Sequence, residues 1–312
     1  MKDLRRRLLY GLNRLKDEFV GKEDYWHVRL PPANRCDKVY FLQMQRKAYY
    51  PGEFSDGIPV YYLDGKFPVF FHITTLNYAL GLLECYYANR DIDIRAKIIE
   101  IFFWLVNNQQ LDGSWRYKFP IESKHVLADN KPSGMTQALA ISFIVRVLEG
   151  NFISEKDQYL SVIKKAVLFM LSDKIVCKHE NVDLIEEFYN PGDGILNGYI
   201  FTLYGLYDYG RFCSDFSFFE MHLQNLKKIL SKYNFFIWTR YDLKGTVSSR
   251  FYHQLHIDMM SVLYKLTGDT LFLNYNRKWN LGMRFSFLFV LLKAIQKAKY
   301  LDKMIMSYSK KV

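Results

Sequence analysis

Three short stretches set tyrosines beside ionisable side chains: Glu186-Glu187-Phe188-Tyr189-Asn190-Pro191, Thr239-Arg240-Tyr241-Asp242-Leu243-Lys244, and Ser249-Arg250-Phe251-Tyr252-His253 followed by His256. A free phenol ionises at about pH 10, and a neighbouring cation lowers that value until phenolate becomes a usable base. Arg240, Lys244, Arg250, His253 and His256 are suitable cations near Tyr241 and Tyr252. The competing reading is structural, since many of the 24 tyrosines must cap a core by hydrogen bonding. His253 and His256, three apart, would share a helix face as metal ligands. No third ligand is placed by the sequence, so a helix-capping or substrate-binding pair is favoured and no metal is expected.

Standard catalytic motifs are otherwise missing: the chain has no GxGxxG, GxxxxGK[ST], GxSxG or HExxH. Gln109-Gln-Leu-Asp-Gly-Ser-Trp115 resembles the Q…DGxW turn of α/α toroids such as terpene cyclases. A cyclase would repeat that turn and carry an aspartate-rich acid motif. Neither is present, so the segment reads as a structural turn.

The elements that must hold these groups are mostly helices. Apolar residues recur at three and four, as at Ile141, Ile144, Val145 and Leu148. The pattern predicts helices over 74–89, 93–108, 134–149, 157–171, 196–208, 216–233, 252–267, 270–278 and 283–300. Residues 1–70 read as an irregular, β-containing segment. It has a basic amphipathic start (Leu4, Leu8, Leu12, Leu15), a break at Leu30-Pro-Pro32, and strand-like runs at Val39–Phe41 and Ile58–Leu63. Asp64-Gly65 follows the second run as a turn signal. Helices joined by long polar loops, without strands between them, predict a mainly α chain arranged as an (α/α) barrel or toroid. On this division 71–280 is the catalytic domain and 281–312 a basic amphipathic C-terminal helix. The loops near 109–132, 186–196 and 239–251 would collect at one end over a central cleft.

Composition narrows the class. With 312 residues, 50% hydrophobic and 17% aromatic, the chain can bury a large core, which excludes disorder. Cys36, Cys85, Cys177 and Cys213 lie far apart with no CxxC pair, which suits reduced core residues rather than a zinc ribbon or disulfide framework. The net charge of +11 is concentrated at the ends: residues 1–22 carry +4 and residues 281–312 carry +6. Such ends either solubilise or attract an anionic polymer or acidic membrane surface. Residues 1–20 hold no uninterrupted apolar run, so no secretory signal is expected. The best apolar run, Phe285 to Leu292, is too short for a bilayer, which needs about 20 residues. No Asn-x-Ser/Thr sequon occurs. A cytoplasmic protein is expected, with 281–312 as a peripheral contact at the inner membrane face and no nucleic-acid partner.

The segment 186–208, Glu-Glu-Phe-Tyr-Asn-Pro then Ile-Leu-Asn-Gly-Tyr-Ile-Phe-Thr-Leu-Tyr-Gly-Leu-Tyr-Asp, resembles the C-terminal domain of D-glucuronyl C5-epimerases. That family shows Glu-Glu-Tyr-Pro…Val-Leu-Asn-Gly…Gly-Leu-Tyr-Asp. Further matches are Thr136-Gln137-Ala138-Leu139-Ala140-Ile141-Ser142, Tyr241-Asp242-Leu243, Tyr252-His253…His256, Pro68-Val69 and Tyr78-Ala79-Leu80-Gly81. They run in order over roughly residues 50–280. Phe188 stands where the family has tyrosine, with Tyr189 following as though one residue were inserted. Asn77 replaces the family's Gln before Tyr78.

The resemblance implies an (α/α) barrel preceded by a β-rich segment, acting on glucuronate in heparosan or heparan-type chains. It also implies tyrosine acid/base residues, at Tyr241 and Tyr252 by motif, with Tyr189 as the third. Asn197, Gln137 and Tyr78 fall within matched motifs as substrate-binding candidates. The chemistry suits these residues. C5 of a hexuronate adjoins the carboxylate, so its proton can leave if the developing enediolate is stabilised by cations or donors. Tyr241 and Tyr252 would then be opposing acid and base, Glu187 would orient or assist, and the basic side chains would hold carboxylates. No cofactor is required, and a homodimer is compatible. Two other functions fit the same residues: a uronic-acid polysaccharide lyase, which adds β-elimination to the same proton abstraction, and a non-catalytic module that binds acidic glycans.

Overall fold

The computed structural model of the chain describes residues 24–32, 38–63, 67–116, 132–187 and 192–296, and it is mainly helical. By packing, the chain forms two compact units, Val28–Leu230 and a smaller one drawn from Met1–His27 and Ser231–Val312. No described helix is long and apolar enough to cross a membrane.

The larger unit begins with an antiparallel meander, β1 (Glu53–Ser55), β2 (Ile58–Leu63) and β3 (Phe67–Val69). Ser55 pairs with Ile58 across Asp56 and Gly57, both at positive φ (50° and 76°). That Asp-Gly pair makes the two-residue turn whose backbone suits the strand twist. Ile58–Leu63 is therefore a strand as the sequence predicted, while Asp64-Gly65 lies outside the described residues. Val39–Phe41 is not a strand but a run of bends. Val39, Tyr40 and Leu42 are all buried, and Tyr40 packs on Phe201 and Tyr204.

Six helices follow: α1 (His72–Asn89), α2 (Ile92–Asn107), α3 (Gly134–Glu149), α4 (Leu160–Met170), α5 (Leu196–Cys213) and α6 (Ser217–Ile229). Their burial alternates along the chain. α3 is buried continuously from Gly134 to Leu148, and α1 and α5 nearly so. α2 buries only Ile98, Ile101, Phe102 and Leu105, and α4 buries chiefly Ile163, Ala166, Val167 and Met170, each set a single stripe at helical spacing. α3 packs on α1 and α5, while α2, α4 and α6 pack on α1, α3 and α5 respectively. The result is an inner row of all-round apolar helices with an outer row of one-sided ones. Each fully buried Leu, Ile or Phe in the inner row contributes about 1.5–3 kcal/mol. The α3–α5 contact is unusually close, because a Cβ on Gly205 would sit 2.6 Å from the Ala138 Cα. Side-chain caps set the helix starts: Asp91 accepts from the Asp93 and Ile94 amides, and Ser133 accepts from Thr136.

Two hairpins interrupt the helices, which corrects the expectation of none: β4 (Val176–His179) with β5 (Val182–Ile185), and, in the smaller unit, β6 (Asn234–Phe235) with β7 (Trp238–Thr239). Strands of two to four residues are too short to leave a readable alternation. Their turns place Glu180 (φ 53°) and Phe236 (φ 56°) rather than glycine in the left-handed region.

The smaller unit continues with α7 (Arg250–Thr267), α8 (Thr270–Met283) and a helix over at least 286–296. Its centre is Trp238, Val247 and Phe289, with Phe235, Ile237 and Met283 packed around them. The Trp238 and Phe289 rings stack at 4.7 Å. Ser249 caps α7 through the Tyr252 amide, and Asp269 caps α8 through that of Leu271. Cys85, Cys177 and Cys213 are free thiols, the first two buried; Cys36 lies outside the described residues, as does the basic start at 1–22.

Candidate functional site

The chemistry-bearing residues fall at two strand-to-helix corners, one in each unit. In the larger unit β5 leads through Glu186 and Glu187 to the start of α5. Glu186 is 1% exposed and fully engaged. Its Oε1 meets His179 Nε2 at 2.6 Å, and the Gly194 amide donates to Oε2 at 3.1 Å. Its carbonyl also accepts from the amide of Gly134, the first residue of α3. Glu186 thus ties β4, β5 and α3 together around the corner.

Glu187 is treated differently. Its side chain lies across Gly198, where a Cβ would fall 2.4 Å from the Glu187 Cβ and 2.6 Å from Oε2, so only glycine fits. Oε2 is buried and has no hydrogen-bond partner. Burial, with the Glu186 and Asp193 charges adding to it, raises the Glu187 pKa to about 7. The carboxyl therefore exchanges a proton near neutrality. Asn197, beside Gly198, is 4% exposed and likewise has a buried Oδ1 without a partner. Tyr189 and Phe188 lie outside the described residues.

In the smaller unit, β7 ends at Thr239 and a tight loop leads to α7. The loop closes on itself: Tyr241 N–H donates to the Thr246 carbonyl at 2.7 Å, Thr246 N–H donates to Asp242 Oδ1 at 2.9 Å, and Arg240 bridges to Val247. The Tyr241 ring is thereby held against Tyr252 in the first turn of α7, with centroids 4.6 Å apart and planes at 56°. Both tyrosines are half-buried. The predicted cations are spread around them. Arg240 donates from Nη1 to the Lys232 carbonyl at 3.2 Å and lies over Phe235, Lys244 is exposed at the loop, and Arg250 is partly exposed at the helix start.

His253 and His256 are completely buried, and a single hydroxyl joins them. Thr239 Oγ1 lies 3.0 Å from Nδ1 of each imidazole, and His253 Nε2 lies 3.0 Å from the Trp279 carbonyl. Burial lowers the His253 pKa to about 3 and that of His256 well below its ordinary value, so both rings are neutral. The tautomers follow. The carbonyl only accepts, so His253 carries its proton on Nε2 and its Nδ1 accepts from Thr239. The Thr239 oxygen then accepts from His256 Nδ1–H, leaving His256 Nε2 as a bare, buried lone pair without a partner. His253 also stacks on Trp238 at 3.5 Å. This pair fastens the end of β7 to α7 and so fixes Tyr241 relative to Tyr252. Thr239 escaped the sequence reading, because its partners stand 14 and 17 residues away and no local motif announces them.

Gln137 and Tyr78 are both inward-facing. Gln137 spends its amide on Trp115, accepting from its N–H at 3.2 Å and donating to its carbonyl at 3.1 Å. Trp115 Nε1–H donates to the Leu105 carbonyl, and Gln109 bridges Gly113 and Val162. The 109–115 segment is thus a structural turn linking α2, α3 and the approach to α4. Tyr78, 6% exposed, packs edge-on against Phe54, and burial raises its pKa, with Glu100 adding to the shift.

Comparison with known proteins places this geometry in context. The family model described as D-glucuronyl C5-epimerase C-terminus matches residues 109–281, more than half of the chain. Over 88 residues the chain is 32% identical to "Uncharacterized protein MJ1128" of Methanocaldococcus jannaschii, a stretch covering 27% of this chain and 29% of that protein. The match therefore spans under a third of that relative's length.

Proposed function

The chain belongs to the D-glucuronyl C5-epimerase C-terminus family, and from that premise we propose that it is an isomerase inverting C5 of glucuronate to iduronate within a heparosan-like polysaccharide. One observation carries the reading beyond the family: the loop closure and the Thr239 hydroxyl bring Tyr241 and Tyr252 into ring contact at 4.6 Å. One phenol removes the C5 proton from one face of the uronate, and water returns a proton to the opposite face, so that C5 inverts. Rings in contact leave no room for a pyranose between them, so in this proposal both phenols serve one face of the sugar and the opposite face is open to solvent protons. In the larger unit, Glu187, titrating at about 7, is a proton-handling group in its own right. Arg240, Lys244 and Arg250 offset uronate charge as the enediolate develops. Asn197 contributes an acceptor for a sugar hydroxyl.

Gln137 has a positioning role in this scheme through the Trp115 turn it holds, and Tyr78 through its packing on Phe54. No cofactor takes part, and an acidic polysaccharide in the cytoplasm is the substrate and partner. In this proposal the inner and outer helix rows of α1–α6 belong to an (α/α) toroid. Incubating the protein with heparosan and following proton NMR together with ultraviolet absorbance tests the proposal. Iduronate signals without new absorbance support it. A rising absorbance from a C4–C5 double bond would mean a lyase, and binding without either signal would mean a glycan-binding module.

A further inference from the structure

The helix over 286–296 is secured on one side only. Phe289 and Val290 are buried, Phe289 stacks on Trp238, and Gln296 accepts from the Val247 amide at 3.1 Å and donates to the Gly245 carbonyl at 3.4 Å. The opposite side carries Phe285, Phe287, Leu288, Leu291, Leu292 and Ile295, each 43–57% exposed. Residues 285, 288, 292 and 295 recur at three and four, so these side chains form one stripe along the helix. A contiguous exposed apolar stripe marks an interaction site.

We propose that this stripe docks on an anionic lipid surface. Charge selects that occupant among the alternatives. Residues 281–312 carry +6, so a second copy of the same segment would bring like charge against like. A bilayer with acidic headgroups offers both the opposite sign and an apolar layer for the phenyl and leucyl groups. Arg284, exposed within the stripe, would sit at headgroup level. The inference is independent of the epimerase reading.

Co-sedimentation of the full chain with phosphatidylcholine vesicles, with and without phosphatidylglycerol, tests it. The expected result is binding only where phosphatidylglycerol is present, weakened by added salt. The double variant Phe287→Ser/Leu291→Ser, which spares Phe289 and Val290, should bind at least about tenfold more weakly while keeping the wild-type melting temperature. Arg284→Glu, which alters charge alone, should weaken binding in the same direction. Absence of binding to the acidic vesicles would overturn the proposal, as would equal binding by the double variant. Dimerisation in light scattering, abolished by Phe287→Ser/Leu291→Ser, would instead assign the stripe to a second copy. No substrate is involved, so neither result bears on catalysis.

Discussion

The β5–α5 and β7–α7 corners share a plan, and the difference between them shows where proton chemistry is available. Each pairs a fully bonded group with a neighbour that has one open atom: Glu186 with Glu187, and His253 with His256. At the first corner the open atom belongs to a partly accessible side chain whose pKa has moved to about 7. At the second it belongs to an imidazole that is 0% exposed and held neutral. Burial with an adjacent negative charge pushes a carboxylic acid toward working pH, whereas burial alone drives an imidazole away from it. The histidines are therefore framework. In the proposed reaction, chemistry at that corner falls to the half-exposed phenols they hold in place.

Variants can break or sharpen this contrast. The largest effect is expected from Tyr252→Phe, which keeps the ring on Tyr241 but removes the proton carrier. Epimerisation should fall by about 10²–10⁴-fold with little change in melting temperature. A rate near wild type would show that the phenols are packing residues like the imidazoles. Thr239→Val should act on the framework instead. It strands two buried imidazoles, each at about 1–3 kcal/mol, and urea denaturation should show the loss. Thr239→Ser, which restores the hydroxyl, should recover most of it.

The histidines also make the fold acid-sensitive. His72, His222 and His253 have folded pKa values of about 4, 4 and 3, all lowered chiefly by burial. In the unfolded chain they protonate at about 6.5. Stability is therefore fully present above about pH 6.5 and declines as pH falls toward 3, because the unfolded state then binds the protons. A urea midpoint flat between pH 7 and pH 4 would contradict the buried, neutral assignment. Glu187 works in the opposite window and more weakly. Its raised pKa means the folded state holds the proton more tightly, so stability declines as pH rises from 4.5 to about 7. Glu187→Gln should remove that dependence, gaining about 1–3 kcal/mol relative to wild type between pH 5 and pH 8. The variant's kcat/KM profile should also lose its limb near pH 7.

Local pattern reached some of this and not the rest. Residues 134–149 were legible as a helix to the residue, because Ser133 and Gly150 bracket a run of apolar side chains. The end of α5 was not. The predicted helix stops at 208, yet Asp208 is buried and paired with the buried Arg146, and the helix continues to Cys213. Likewise α8 runs past 278 because Trp279 is buried and donates to Asn234. At the sites, residue type and motif pointed to Tyr241, Tyr252 and Glu187. Their division into movers and holders depends on burial and long-range partners, and spacing carries neither. The packing units break at 27/28 and 230/231, where no change in composition is visible.

The most direct test of the central claim is solvent deuterium exchange at C5 of heparosan, measured by proton NMR for wild type and Tyr252→Phe side by side. The account predicts deuterium at C5 with iduronate formed by the wild type, and almost none with the variant, while both melt alike. Equal exchange by the two proteins would contradict it, because C5 would then lose its proton without the Tyr252 phenol.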